Sequence, residues 1–499
     1  MKSSTRNLII VAAVAVVLGG TVVILNQTGG GSSGSSSAAS SSAAIQLISK
    51  SSENVASMKV TNKKGSYTLV PAAASSLVST AASSSSSSSS ASSVTYTVKE
   101  LSGCPINTGE TSTVVQNGFS LSATKNIGTA SNLADYGLKD PQATVEVTFK
   151  DGSTFGYKIG NATATDSTAY YMCGMKSDNV YVVSIDAGLL EDANYFITKD
   201  MVSVSADTST AASSSSSSSG NDFTQIVLGG SNFPNGATLQ KNASGSLAFV
   251  SPASYDVDSN SLTSMESVLT SLAAESVAAV RPDAAALKKY GLDKPAITAE
   301  YTVNKKAYKL IVGAQNGKNY YAMVDGVNVV YNVSSDNING LVSQNLFTLR
   351  SKMIFLPNIT TVKKISVVSG KGTNEINVTR TENAASSTQD KKAYNYKVTG
   401  NAGKSLNYDS NYRNMYQVLI GLTVSANAEK MPTGSPAITV KYTYFDQSGT
   451  STLALYQTDS RRYTAVLNGK VYGLCAKSDV DNVLQAIADF ESGKTVSAG

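Results

Sequence analysis

The sequence predicts an α+β protein built as a tandem repeat of about three antiparallel-sheet-plus-helix modules after an N-terminal transmembrane helix. Three observations predict it. One short stretch recurs, as Tyr136-Gly137-Leu138-Lys139-Asp140-Pro141 and as Tyr290-Gly291-Leu292-Asp293-Lys294-Pro295. Around each copy the same succession appears: alternating strands, an apolar-striped helix, the repeated stretch, four more strands and a closing helix. An uncharged apolar run from Leu8 to Leu25 precedes everything else.

Residues 1–27 read as a cytoplasmic tip and membrane anchor. Lys2 and Arg6 precede the apolar run, and no Lys or Arg follows it until Lys50. At about 1.5 Å per residue the run is at the short end for crossing a hydrocarbon core of about 30 Å. The charge asymmetry places the N-terminus in the cytoplasm and the rest of the chain outside it. A cleaved signal peptide is the competing reading. The run is longer than a signal core, however, and Leu18-Gly19-Gly20-Thr21 is a poor cleavage site because apolar residues continue beyond it. No cysteine stands near the end of the run, which excludes a lipid-modified N-terminus. Residues 28–45 are a Gly/Ser/Ala linker that cannot bury a core. Their Gly29-Gly30-Gly31-Ser32-Ser33-Gly34 lacks the flanking strand and helix that a dinucleotide loop needs.

The first module spans 46–203. It opens with a hairpin over 57–62 and 66–70, turned by Asn62-Lys63-Lys64-Gly65, and carries a serine-rich insertion at 74–93. A strand at 94–99 and a helix near 112–125 follow. Strands at 143–149, 154–159, 169–173 and 180–184 come next, the first two joined by a Lys150-Asp151-Gly152-Ser153 turn. A helix starting near Asp186, with Leu189 and Leu190, ends the module. After a serine-rich linker at 204–221, the second module (222–355) repeats the order. Its helix at 264–274 has Met265, Val268, Leu269 and Leu272 at helical spacing, and another helix is expected near 336–347. The third module, 356–495, is degenerate. The run from Asn414 to Leu419 echoes that from Ser264 to Leu269, and Pro436-Ala437-Ile438-Thr439 matches Pro295-Ala296-Ile297-Thr298. A last helix at 478–490 carries Val480, Val483, Leu484 and Ile487 in one stripe, which reads as core.

Within the repeated stretch, Gly137 and Gly291 fall where a helix needs a left-handed residue to close its last carbonyls. Leu138 and Leu292 sit where such a cap makes its apolar contact. Pro141 and Pro295 keep the helix from resuming. A ligand loop is the alternative reading, but the capping roles already account for each residue. Tyr136 and Tyr290 open the two copies.

The chain of 499 residues has formal charge +5 in both signs and no basic stripe, so it carries no footprint for nucleic acid. It has no His and no Trp, which removes the commonest general base and metal ligand and rules out Ser-His-Asp and Cys-His chemistry. The three cysteines (Cys104, Cys173, Cys475) are widely spaced and read as buried thiols. Ser122-Ala123-Thr124-Lys125 fits S-x-x-K without its partner motifs. Asp256-Val257-Asp258 starts like a calcium loop but lacks the Gly and the final Glu; Asn260 or Ser261 is expected to cap the next helix instead. No catalytic, cofactor-binding or metal-binding set emerges. Tyr170, Tyr171, Tyr320, Tyr321 and Tyr331 are the residues on which a sugar or a partner could stack. Half-buried strand tyrosine is the plainer account.

The ordered series of Tyr-Gly-Leu-x-x-Pro stretches, the strand from Val145 to Phe149 with Asp151-Gly152, Ile159-Gly160, Val312-Gly313 and the Tyr pairs resembles the bacterial family called domain of unknown function 4340. That resemblance implies a membrane-anchored protein, often encoded beside an ABC exporter of the gliding-motility type. It transfers architecture and location but no catalytic residue. The expectation is a non-catalytic, extracytoplasmic accessory or scaffold subunit of an ABC-type transporter system. The alternative is a cell-surface module that binds glycan or peptidoglycan.

Overall fold

The computed structural model describes residues 44–73, 94–205, 220–242, 244–387, 392–428, 430–446 and 449–497. The expected anchor at 8–25, nearly all of the Gly/Ser linker, the serine insertion at 74–93 and most of the serine linker lie outside the described residues. Among the described residues no helix is long and apolar enough to cross a membrane. Antiparallel strands dominate, and helices are few.

The first sheet uses β1 (Ile45–Ser49), β2 (Val55–Asn62), β3 (Gly65–Pro71) and β4 (Tyr96–Val98); then, after helix α1 (Thr108–Phe119), β5 (Ser120–Thr129), β6 (Ala143–Phe149), β7 (Thr154–Ala162), β8 (Ala169–Gly174) and β9 (Asn179–Ser184). Its order is β1-β5-β9-β8-β7-β6-β2-β3-β4. A short strand β10 (Asp200–Ser203) leads out. The second sheet holds β11 (Phe223–Gly229), β12 (Ala237–Lys241) and β13 (Leu247–Ser251). Helix α2 (Ser259–Thr270), β14 (Ser271–Ala273), β15 (Ser276–Val280) and helix α3 (Ala284–Lys289) follow. Then come β16 (Ile297–Val303), β17 (Lys306–Asn316), β18 (Asn319–Val324), β19 (Val329–Ser334) and helices α4 (Ser335–Val342) and α5 (Leu346–Leu349). The third sheet holds β20 (Val362–Ser369), β21 (Gly372–Glu382), β22 (Tyr394–Thr399) and β23 (Ser405–Leu406), then helix α6 (Arg413–Ile420). It is completed by β24 (Ile438–Tyr444), β25 (Thr450–Gln457), β26 (Arg462–Leu467), β27 (Lys470–Ala476) and helix α7 (Lys477–Ser492).

One strand order underlies all three. A leading meander and a following meander of four strands are joined side by side through their first members: β2 on β6, β11 on β16, β20 on β24. The registers coincide. Met58 lies opposite Val147, Ile226 opposite Tyr301, and Ile365 opposite Tyr442, and all six are buried. The register slips at the corresponding place in each, between Val55 and Ser57, Phe223 and Gln225, and Val362 and Lys364. Such a bulge bends the opening strand and sharpens its twist. A helix then crosses the sheet, burying Val114 and Val115 of α1, Met265, Val268 and Leu269 of α2, or Met415, Tyr416 and Leu419 of α6.

The helices end earlier than their apolar spacing predicts. The helix expected near 112–125 stops at Phe119, and the one expected at 264–274 stops at Thr270. The next residues form a strand in both cases, because Leu121 and Ala123, like Leu272 and Ala274, are buried at a period of two. The closing helix expected near Asp186 is a single tight turn, Ala187–Leu190. The cap expected at Asn260 or Ser261 is Asp258, whose carboxylate accepts the Ser261 N–H at 2.9 Å.

This post-helix strand receives the chain entering each unit. β1 pairs with the start of β5, β10 pairs with β14, and Met353 bridges Thr423. In the second case β10 stands outside the first sheet and pairs with β14 beside α2, with Val202 opposite Leu272. The first and second units accordingly share one apolar core, whereas the third has its own. Leu272 is 2% exposed at this handover. Leu272→Ala should therefore cost about 2–5 kcal/mol in chemical denaturation. Hydrogen exchange of the β10 amides should accelerate with it.

Candidate functional site

In the first and second units the repeated stretch packs on the face of the sheet that the crossing helix leaves open. In the first unit a turn of 3-10 helix, Leu133–Tyr136, ends at Gly137 with φ +71°. In the second, α3 ends the same way at Gly291, φ +67°. The N–H of Leu138 donates to the Leu133 carbonyl and that of Leu292 to the Leu287 carbonyl, each at 2.9 Å. This is the six-to-one bond of a helix closed by a left-handed glycine. Leu138 and Leu292 then point into small apolar clusters apart from the main core. The first cluster holds Cys173 and Val180, the second Val330 and Tyr290. Pro141 and Pro295 lead into β6 and β16.

A second pair of glycines explains why the stretch lies so close to the sheet. A Cβ on Gly160 would stand 2.1 Å from the Tyr136 carbonyl oxygen, and one on Gly313 would stand 2.3 Å from that of Tyr290. The Tyr290 carbonyl also accepts the Ala314 N–H at 2.8 Å. Only glycine lets the two backbones meet there.

The tyrosine pairs divide between faces, as alternation on a strand requires. Tyr170 and Tyr320 pack against the main core. Tyr171 and Tyr321 turn to the other face and meet the tyrosine of the repeated stretch. The Tyr136–Tyr171 ring centroids are 4.9 Å apart, and those of Tyr290 and Tyr321 are 4.5 Å apart. The four paired tyrosines, 170, 171, 320 and 321, are half-buried, and the structure does not gather them on one surface. Tyr331, the fifth stacking candidate, is wholly buried at 0% exposure because β19 turns it into the core.

The other candidate chemistry resolves into structural bonds. Ser122 donates to the Gln46 side chain at 3.1 Å, and among the described residues no bond joins it to Lys125. Cys104, Cys173 and Cys475 are buried free thiols; burial pushes the Cys475 thiol up to about 11. Among the described residues no group of three His, Cys, Asp or Glu converges.

Sequence reasoning missed one concave feature. A groove of about 580 Å³ opens between α2 and α4, lined chiefly by Ser264, Ser267, Asn260, Asn337, Asn339 and Gln344. The helices approach closely at Gly340, where a Cβ would stand 2.4 Å from the Ser264 carbonyl oxygen. The Ser264 and Ser267 hydroxyls donate back along α2, to Asn260 and Thr263 carbonyls at 2.9 and 3.0 Å. Their oxygens remain as acceptors, and the Asn260 and Asn339 carboxamides carry no side-chain bond among the described residues. The surface is polar and carries one carboxylate, Asp336. The serine, asparagine and glycine spacing on two helices was the available signal, hidden by the abundance of serine.

Glu266, also on α2, is half-buried without a cationic partner among the described residues, and desolvation pushes its pKa up to about 7. In the unfolded chain the carboxyl ionises near its ordinary value of about 4.3. The folded state therefore holds the extra proton between those values, and stability falls as pH rises through this window. Glu266→Gln should remove that slope, raising the melting temperature relative to the parent at pH 7.5 but not at pH 4. Separately, Gly160→Ala or Gly313→Ala should cost about 1–3 kcal/mol by overpacking. Amide exchange should show the repeated stretch loosening before the main sheet.

No curated protein and no solved structure matches the chain. A family match covers residues 97–229 and 248–424, more than half of the sequence. Each matched stretch starts at or beside the third strand of a leading meander and runs on into the next unit, so the match contains both handovers between units. The chain belongs to the family described as Domain of unknown function (DUF4340).

Proposed function

We propose that the protein is a non-catalytic scaffold: three copies of one module, held outside the cytoplasm by the N-terminal apolar segment and its Gly/Ser linker. It serves as an accessory subunit of an ABC-type transporter system. The observation that carries this reading is the recurrence of one strand order in three sheets, with the chain entering each unit pairing beside that unit's helix. Such a chain presents one module three times in linked succession, suited to holding partners. Lys2 and Arg6 before the apolar run support the membrane placement. The transporter partner rests on the family resemblance.

A second reading is favoured by the groove between α2 and α4. Its hydroxyl oxygens and carboxamides suit a neutral, hydroxyl-rich ligand such as a glycan or peptidoglycan strand. The tagged full-length protein, purified from detergent-solubilised membranes, should bring down an ABC ATPase and permease. Failure to do so, together with retention on purified peptidoglycan that Asn339→Arg abolishes, would replace the scaffold with the glycan-binding module.

A further inference from the structure

Among the described residues, Tyr255 is the one side chain that borders both apolar cores. Against it lies Arg350, just after α5 and only 2% exposed. Its guanidinium carbon is 4.9 Å from the ring centroid of Tyr255, 5.1 Å from that of Phe347 and 4.8 Å from that of Tyr472. Tyr255 and Phe347 belong to the second unit; Tyr472, on β27, belongs to the third. No carboxylate pairs with the cation among the described residues. Its one side-chain hydrogen bond goes to Asn427 Oδ1 of the third unit at 3.3 Å, and Nη1 has no partner.

The surrounding backbone is tied on both sides of the joint. Within the second unit Arg350 bridges Val257, and the Ser351 N–H donates to the Asp256 carbonyl at 2.7 Å; across the joint the Val424 N–H donates to the Lys352 carbonyl at 2.9 Å. The Tyr472 hydroxyl donates to the Met353 carbonyl at 2.8 Å. Lys352 donates to the Thr348 and Arg350 carbonyls at 3.2 and 3.0 Å, closing the end of α5.

A buried charge without a counter-ion is costly, so its presence demands an offsetting interaction. Here that is the ring faces. A guanidinium is planar, delocalised and weakly hydrated, and it stacks on aromatic rings in a way an ammonium does not. Rings from both units enclose it, so the cage is complete only while the two units keep their places.

We propose that the caged Arg350 is the pin that fixes the angle between the second and third units, so that two separately cored bodies move as one. The test uses the full chain in detergent with spin labels at Lys318→Cys in the second unit and Lys371→Cys in the third, both exposed turn positions. The native cysteines are buried and stay unlabelled. Electron–electron resonance should give one narrow distance distribution. Arg350→Ala and Tyr472→Leu should each widen it about twofold, as released units explore more orientations. Combining them should widen it no further than either alone, because both break one cage. A distribution of parental width in either variant, with circular dichroism unchanged, overturns the proposal. Should Arg350→Ala fail to fold, Tyr472→Leu decides the matter alone.

Discussion

The pairing of the first strand of one meander with the first strand of the next is the interaction on which everything else rests. Within each meander, hairpins bring neighbours together locally and cheaply. The seam between meanders closes over an intervening helix and loop, and must recover that loop-closure entropy through burial. It does so with facing apolar pairs, Val60 on Val145, Leu228 on Ala299 and Val367 on Val440, all at most 1% exposed. At about 1.5–3 kcal/mol for each large side chain buried, a few such pairs outweigh the closure cost. Once the seam exists, the crossing helix has a continuous floor, and the strand after the helix has an edge to join.

That post-helix strand makes the units interdependent. Its first half offers an edge beside the helix, and the chain arriving from upstream occupies it in every case. The first unit thus supplies β10 to the second, and the second supplies the Met353 bridge to the third. A covered edge is also protected from pairing with another molecule. The repeated Tyr-Gly-Leu stretch does comparable work on the far face. It lays a short helical turn across β7 or β17, where Gly160 or Gly313 lets backbone touch backbone. The third unit lacks both the stretch and that glycine pairing, and no separate apolar cluster forms on its far face among the described residues.

Much of this was legible in the residues. The turn at Asn62-Lys63-Lys64-Gly65 does join β2 to β3, with Gly65 at φ +151°. The match of Pro436-Ala437-Ile438-Thr439 to Pro295-Ala296-Ile297-Thr298 is a true structural equivalence. Ile438 and Ile297 begin β24 and β16, and each faces the end of its opening strand or the residue just beyond it. The features that stayed hidden depend on tertiary context. The segment from Ser120 to Lys125 has helix-compatible residues, and pairing with the arriving β1 and with β9 makes it a strand. The segments 45–49 and 200–203 are too short to announce themselves, since their partners lie far along the chain. Tyr331 and Tyr321 look alike in sequence, and the direction of a strand alone separates a core residue from one on the far face. The α2–α4 groove was illegible for a different reason: serine is so frequent here that a serine-lined surface does not stand out.

Tyrosine takes the place that Trp and His fill elsewhere. Without either, the chain uses its 25 tyrosines both as bulk and as anchors. Buried phenols donate to the backbone at the places where elements end. Tyr67 reaches Gly188 at 2.6 Å, Tyr301 reaches Leu269 at 2.6 Å, and Tyr416 reaches Pro357 at 2.7 Å. The first two bonds tie a helical turn and the end of α2 to the sheet, and the third ties the segment before β20 to α6. Burial raises the pKa of all three phenols, so they remain neutral donors throughout the physiological range. The ion pairs, by contrast, lie at the surface; Lys63–Asp140 and Lys477–Asp481 are typical, and such pairs contribute about 0–1 kcal/mol each. Among the described residues the caged Arg350 is thus the exception in an interior otherwise held by apolar contact and neutral hydrogen bonds. An exception placed at the one boundary between separate cores is a device for joining them, since nothing in the packing of either core requires a charge.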